Sequence, residues 1–169
     1  MRTLADAQAV LDVLRDSGYA AVIAGGAARD THLGRTPKDY DIIVLGNPLM
    51  YDVLASLDYI HEAHIELFGD GCSMPGVAVN LEWVAKVTLH GTVIDVIKQV
   101  QYAATPEQAV EGFDCTLNMA WFSGDRVVLH DRFPHKGDAV ELLPLCDNPK
   151  VRVAYLSNKF PEFIWPVIS

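Results

Sequence analysis

Two spacings of apolar residues alternate along the chain. In the first 18 positions apolar side chains recur three and four residues apart, which predicts a helix from Leu4 to Asp16 that Ser17-Gly18 ends. The next apolar runs are short and rich in Val and Ile, which is typical of buried strands: 20–24, 42–44 and a hairpin over 84–100 around Gly91. Further helices are predicted over 49–57 and after Thr105-Pro106.

The length suits one domain. The chain has 169 residues, of which 50% are hydrophobic and 21% charged, as in globular proteins. A chain of about 150 residues buries about 70% of its unfolded surface, which is enough for a sizeable core. No internal repeat or low-complexity tract divides the sequence, so we expect residues 1–169 to form a single domain.

The most informative stretch covers residues 19–44. A buried strand is followed by Gly25-Gly26, a short helix, a basic loop and a second strand that begins with Asp39 and Asp41. Glycine lets the backbone approach a polyphosphate closely, and a following helix offers free N–H groups. Residues two apart in a strand project from the same face, about 6.5 Å apart, so the two carboxylates repel each other. A bound cation is the expected compensation.

Hard divalent cations suit this pattern. Mg²⁺ takes one or two carboxylates plus substrate phosphates, and two ions about 3.5–4 Å apart can clamp both oxygens of a phosphoryl displacement. The pattern favours Mg²⁺, or Mn²⁺ in its place, although two surface aspartates on an edge strand are the alternative. Asp95 stands alone among Val and Ile residues. It is either an outward-facing residue of a half-exposed strand or a third carboxylate beside the first two.

Together with Arg29-Asp30, these residues resemble the signature G-G-x-V-R-D-x-L-L-G-R-x-P-x-D-x-D of the CCA-adding tRNA nucleotidyltransferases and bacterial poly(A) polymerases, within the polymerase-beta-type nucleotidyltransferase superfamily. Ala28 and Thr31-His32 are mild departures. The resemblance implies an α/β (α+β) nucleotidyltransferase fold, with a small mixed sheet flanked by helices that pack mostly on one side. The matching positions are Gly25, Gly26, Arg29, Asp30, Gly34, Arg35, Pro37, Asp39 and Asp41.

The resemblance also implies a reaction. Asp39, Asp41 and Asp95 would hold Mg²⁺ ions that bridge a nucleoside triphosphate, at the ends of their strands, and an acceptor hydroxyl would attack the α phosphorus as pyrophosphate leaves. Asp95 is included because IDVIK resembles the family segment Y-E-V-x-T-x-R. The turn at Gly25 and Gly26 would cradle the β and γ phosphates, with Lys38 or Arg29 close by. An ion pair between Arg29 and Asp30 that joins helix to sheet is an equally good interpretation of those two residues.

Two later segments concern the nucleotide. The stretch around Asp114 and Asn118 resembles the family segment R-R-D-F-T-I-N-A, which borders the nucleotide sugar, but Gly112-Phe113 replaces its two arginines. This removes two cations and adds an aromatic surface. A helix from Pro149 resembles the E-D-x-x-R helix that selects the incoming base, although Arg152 lies five residues after an aspartate, a spacing that does not fit this motif. Arg152, Tyr155 and Lys159 would share one side of that helix and either line the pocket or face solvent.

The charge and the cysteines limit the partners. With 13 basic and 22 acidic residues the net charge is −9, and no basic cluster is present, so extensive unaided RNA binding is not supported and we expect no DNA partner. Three scattered cysteines predict reduced thiols and a cytoplasmic protein. No apolar run approaches the ~18–20 residues of a membrane span, and the acidic N-terminus predicts no signal peptide and no membrane partner.

Several alternatives stay open at this level. The motif favours an RNA (tRNA-like) 3′ end as the acceptor. The acidic charge instead favours a protein or small molecule, as in the toxin and antibiotic-resistance branches of the superfamily. A non-catalytic nucleotide- or partner-binding protein is the third alternative. The stretch 61–66 is either a His61–His64 metal pair or the solvated face of a strand or helix, and 69–76 is a loop. The apolar C-terminus packs on the body or forms a homo-oligomer interface.

Overall fold

The computed structural model describes residues 3–60, 62–68 and 81–169. Within these ranges a short 3-10 turn (Thr116–Asn118) accompanies the helices and strands. The helices are α1 (Thr3–Asp16), α2 (Gly26–His32), α3 (Met50–Leu57), α4 (Pro106–Glu111) and α5 (Pro149–Lys159). The strands are β1 (Ala21–Ala24), β2 (Asp39–Val44), β3 (His64–Phe68), β4 (Leu81–Leu89), β5 (Thr92–Gln99), β6 (Ala120–Ser123) and β7 (Arg126–Leu129).

The predicted elements are confirmed to within a few residues. The hairpin around Gly91 consists of β4 and β5, and α4 begins after Thr105, whose hydroxyl accepts a hydrogen bond from the backbone N–H of Gln108 at 3.2 Å. His64 starts a strand, as one interpretation of that stretch had it. His61, and with it the alternative of a histidine metal pair, lies outside the described residues, as does the loop predicted over 69–76.

The seven strands of the described chain form one mixed sheet in the order β3-β4-β5-β2-β1-β6-β7. The strands β2 and β5 are parallel, whereas the other neighbouring strands are antiparallel. This confirms the predicted α+β class with a mixed sheet. The parallel pair matters most for the site, because β2 carries two of the candidate aspartates and β5 carries the third.

Alternating side chains of the central strands divide the core between two faces. Ile42 and Val44 of β2 and Ile94 of β5 lie in the larger apolar cluster, with residues of α1, α3 and α5. Ile43 and Ile97 point the other way into a smaller cluster that includes α4. Helices therefore pack mostly on one face, as predicted. Because strand side chains alternate, Asp39 and Asp41 lie on the less covered face with Ile43.

The apolar C-terminal segment packs against the body of the protein. Phe163 is buried, and the indole Nε1 of Trp165 donates a hydrogen bond to the carbonyl of Phe160 at 2.8 Å. This confirms the first of the two alternatives for that segment, and a role in homo-oligomers stays a prediction. None of the helices in the described ranges is long and apolar enough to cross a membrane.

Candidate functional site

The three candidate aspartates lie side by side on neighbouring strands. In the parallel pairing of β2 with β5, Asp41 is directly opposite Asp95 and Asp39 is opposite Val93. Asp39 is exposed, whereas Asp41 and Asp95 are half-buried. We expected Asp95 at the end of its strand, but it lies within β5. The strand begins one residue before the position opposite Asp39, and Asp95 is opposite Asp41.

Burial and like charge act together on these carboxyl groups. Burial first, then repulsion by Asp95 and Asp39, raises the pKa of Asp41 from 3.8 to about 8. The pKa of Asp95 is also raised, chiefly by burial, although Lys86 acts in the opposite direction. The charged forms of both groups are therefore unfavourable as the protein stands, and a further cation at this end of the pocket would stabilise them.

Lys86 is a member of this group that the sequence reasoning missed. Its Nζ lies 3.0 Å from Oδ1 of Asp95 as an ion pair, and that oxygen is buried without an aligned hydrogen bond to any described residue. The register of β4 and β5 sets Lys86 directly opposite Asp95. A two-residue turn at His90-Gly91 implies this pairing, so counting four residues back and four forward from the predicted turn would have identified it.

The glycine corner lies against the aspartates. Gly25 has a φ of 84° and connects β1 to α2, which begins at Gly26. A Cβ atom on Gly25 would lie 3.3 Å from the ring of Phe113 and 3.9 Å from Oδ2 of Asp41. The corner therefore needs glycine for two reasons, since its backbone is left-handed and its surroundings are tight.

A chain of polar contacts crosses the floor of the site. Arg29 Nε contacts Oδ1 of Asp30 at 2.9 Å, and Arg29 Nη1 donates to Oδ1 of Asn118 at 2.5 Å. Asn118 Nδ2 donates to Oδ1 of Asp114 at 2.6 Å, and Arg152 Nε donates to the other oxygen of Asp114. The predicted ion pair of Arg29 with Asp30 is present. The same chain of contacts joins α2, the 3-10 turn and α5.

All ten residues predicted for the site line one cavity of about 420 Å³, a size typical of ligand pockets. One side of α5 lines it with Arg152, Tyr155 and Lys159, which decides between the two positions considered for these residues. Phe113, which replaces a family arginine, also lies in its wall. The predicted residues are Gly25, Gly26, Arg29, Lys38, Asp39, Asp41, Asp95, Asp114, Asn118 and Arg152. Their roles stay predictions.

The aspartates suit a divalent cation only in part. Within residues 3–60, 62–68 and 81–169 no three His, Cys, Asp or Glu side chains are already arranged to hold a metal ion. Asp39 and Asp41 nevertheless offer hard oxygen ligands on one face of β2. Burial and then the neighbouring carboxylates raise the pKa of Asp41, so a cation beside it would favour its charged form. Asp95 already has Lys86 as its partner. Asp39 and Asp41 therefore fit an ion best.

Comparison with known proteins extends the resemblance seen in the motif. No family model matches the chain. A CC-adding tRNA nucleotidyltransferase from Halalkalibacterium halodurans is 49% identical over 39 residues, which are 23% of this chain and 10% of that protein. This similarity is close, but it covers a small part of each protein.

Solved structures match over much more of the chain. A CCA-adding enzyme from Bacillus stearothermophilus in complex with CTP matches 73% of this chain and 28% of its own, at 22% identity and a TM-score of 0.52. A Thermotoga maritima CCA-adding enzyme complexed with tRNA matches 95% of this chain and 38% of its own, at 18% identity and a TM-score of 0.63. A complex of a CCA-adding enzyme with ATP matches similarly, with a TM-score of 0.63.

The chain spans less than half the length of these relatives. At 17% to 22% identity the structural likeness concerns the fold. The protein thus shares its fold with part of the CCA-adding tRNA nucleotidyltransferases, the family that its glycine and aspartate motif resembles.

Proposed function

We propose that the protein is a metal-dependent nucleotidyltransferase that moves a nucleoside monophosphate from a nucleoside triphosphate to an acceptor hydroxyl. The observation that supports this most is the convergence of Asp39, Asp41 and Asp95 beside Gly25 in one cavity. Like-charged side chains placed together destabilise a sheet, so their position needs a ligand to explain it. A triphosphate with a divalent cation is such a ligand.

In the proposed mechanism Asp39 and Asp41 would hold a Mg²⁺ or Mn²⁺ ion on one face of β2. The ion would supply neutralisation of the phosphate charge, which favours attack at the α phosphorus. Gly25 and Gly26 give the β and γ phosphates room to approach the backbone, next to Lys38 in the same cavity. The bond from the acceptor oxygen to the α phosphorus forms as the bond to pyrophosphate breaks, and the acidic end of the pocket, completed by Asp95, receives the proton.

The remaining walls suit the nucleoside. Asp114 and Asn118 are held in place by Arg29 and Arg152, so they can present fixed hydrogen-bonding groups to a sugar. Phe113 and Tyr155 give the cavity aromatic surfaces on which a base can stack. Catalysis of this kind depends on positioning and charge stabilisation more than on covalent chemistry of the protein.

The motif and the relatives favour an RNA 3′ end, tRNA-like, as the acceptor. The relatives include CCA-adding enzymes in complexes with tRNA and with CTP or ATP. A protein or small-molecule acceptor is the second candidate. It is favoured by the net charge of −9 and by Gly112-Phe113 in the place of two arginines, both of which weaken attraction to a polyanionic acceptor.

A labelling experiment tests the proposal. The protein is incubated with Mg²⁺, each α-labelled nucleoside triphosphate in turn and a cell extract, and RNA, protein and small-molecule fractions are counted. We expect label in one fraction, and the fraction identifies the acceptor. The double variant Asp39→Asn with Asp41→Asn should lose labelling while its circular dichroism spectrum is retained.

Two results would contradict the proposal. Absence of transfer with every triphosphate would argue against an enzyme. Unchanged labelling by the double variant would remove both aspartates from the mechanism. Binding of a fluorescent triphosphate without transfer would instead support a non-catalytic nucleotide-binding protein.

A further inference from the structure

Lys86 lies among the carboxylates that the proposed function assigns to a cation. We propose that Lys86 is a built-in cation that competes with the divalent ion for Asp95, and so sets how tightly the metal-binding end of the pocket holds its ion. This inference rests on the proposed function only in that the site binds a divalent cation. Lys86 would act as a positioning residue, through Asp95, and not as a ligand of the substrate.

The position of Lys86 follows from the sheet. Its strand is antiparallel to β5, and the register places it opposite Asp95, while Asp41 lies opposite Asp95 on the other side. The three side chains thus form one row across three neighbouring strands. The lysine side chain is 26% exposed and that of Asp95 14%, so the pair is shielded from much of the solvent. An ion pair in such a place is stronger than one on an open surface.

The charges of the row leave room for one divalent ion. When they are ionised, Asp41 and Asp95 of this row and the neighbouring Asp39 provide three negative charges, and the ammonium group of Lys86 balances one of them. The two that remain match a single divalent cation. Arg29, another basic residue of the cavity wall, already contacts Asp30 and Asn118. Among the described side chains, Lys86 is the one that forms an ion pair with any of these three aspartates.

The buried Oδ1 atom of Asp95 is the atom for which Lys86 and a divalent ion would compete. This oxygen lies 3.0 Å from Nζ of Lys86, yet it makes no aligned hydrogen bond within the described residues. A buried acceptor without a well-formed hydrogen bond has not realised its full interaction energy. A divalent ion next to Asp41 can use this oxygen, and Lys86, whose stem is flexible, can turn away.

Metal affinity of the nucleotide-free protein tests the inference. Binding of Mn²⁺ alone is measured by electron paramagnetic resonance and by calorimetry for the wild type and Lys86→Met. We expect Lys86→Met to bind Mn²⁺ about tenfold more tightly, which corresponds to ~1.4 kcal/mol. The gain should vanish when Asp95→Asn is also present. Lys150→Met removes an exposed positive charge from α5 and should leave the affinity unchanged.

The outcomes separate clearly. Equal or weaker binding by Lys86→Met, or no binding by either protein, overturns the inference. So does a gain that persists beside Asp95→Asn. If Lys86→Met does not fold, the wild type is labelled with ¹³C-methyl groups on its lysines, and the Lys86 signal is assigned with Lys86→Arg. Saturating Mg²⁺ should then shift the Lys86 signal, and an unshifted signal also overturns the inference.

These measurements need neither triphosphate nor acceptor. A protein that shows the expected metal affinities but transfers no label would contradict the proposed function and leave the competition intact. Transfer of label together with unchanged metal affinity in Lys86→Met would contradict the competition and leave the proposed function intact.

Discussion

Acidic side chains lie beside the β4–β5 hairpin at two levels, its turn and the pocket, and their charge is neutralised differently at each level. At its turn, His90 contacts Asp6 at 2.9 Å and Glu62 at 2.5 Å, and the hydroxyl of Thr92 donates to Asp6 at 2.6 Å. At the level of the pocket, Asp95 and Asp41 lie next to each other, and Lys86 is paired with Asp95. The turn joins α1, the residues before β3 and the hairpin itself.

The pKa values show what this difference means. Hydrogen bonds to Asp6 and then Glu62 raise the pKa of His90, so the turn favours its own cation. Burial and neighbouring carboxylates raise the pKa of Asp41 to about 8, so the pocket favours the neutral form of this carboxyl group. The two levels share one hairpin. The first level has its own cation in His90, whereas the second would need a cation from solution to keep its carboxyl groups charged.

Asp41→Asn should have the largest effects, and they should be opposite for activity and for stability at pH 8. We expect nucleotide transfer to fall at least ~100-fold, because a charged ligand is lost. Without metal, folded Asp41 keeps its proton up to a pH of about 8 whereas the unfolded group loses it near 3.8, so the free energy of unfolding falls as the pH rises between these values. The variant should lack this dependence and be more stable at pH 8 by on the order of 1–3 kcal/mol.

Urea unfolding at pH 5 and pH 8 measures the stability effect, with and without Mg²⁺. Saturating Mg²⁺ should weaken the pH dependence of the wild type as well, because the ion favours the charged carboxylate. Asp125→Asn, at an exposed position between β6 and β7, serves as the matched control and should behave as the wild type. Lower stability of Asp41→Asn at pH 8 would show that the pocket does balance its own charge.

Gly25→Ala should reduce both activity and stability by intermediate amounts. The added methyl group meets the ring of Phe113 at 3.3 Å, and the backbone keeps a φ of 84°. We expect a loss of about 1–2 kcal/mol for the left-handed backbone, plus a decrease in transfer of about tenfold because the corner narrows. The measurements are urea unfolding and the initial rate of labelling.

Gly124→Ala is a matched control for this change. Gly124 has a φ of 64°, and nothing lies within 4 Å of the place where its Cβ would be. It should therefore lose stability through the backbone alone and keep full activity. Equal loss of activity in the two variants would mean that the space at Gly25 has no role in the pocket.

Local features of the sequence predicted a large part of the fold and of the site. The strand before Gly25, the positions of Asp39 and Asp41, and the hairpin around Gly91 depend on residues close together in the chain, where spacing and turn chemistry decide. Asp95 required the family resemblance, because an isolated aspartate in a strand does not reveal its neighbour on the next strand.

Contacts between distant segments were harder to predict. Arg152 and Asp114 are 38 positions apart, and the packing of α5 against the pocket brings them together. The position of Phe113 on Gly25 likewise depends on how α4 ends beside β1. No periodicity in the sequence encodes such contacts. Lys86 differs from these, since the register of a two-residue hairpin does encode its partner.

His90→Asn should have the smallest effect and concern stability alone. Asn tolerates the left-handed conformation of this position, which has a φ of 51°. Since the pKa of folded His90 is raised, its contribution to stability is full below its ordinary pKa of 6.5 and is lost as the pH rises through the raised value. The melting temperature should thus differ most from the wild type at pH 5.5 and least at pH 9.

Adding Mg²⁺ to this last experiment distinguishes the turn at His90 from the pocket at Asp41. It should leave the difference between His90→Asn and the wild type unchanged, because the turn already has a cation between Asp6 and Glu62. His135→Asn makes the same replacement at an exposed histidine elsewhere and serves as the matched control. Nucleotide transfer should stay at the wild-type rate in both variants. A loss of transfer in His90→Asn alone would mean that the turn and the pocket are coupled through the hairpin, and that the two levels do not act independently.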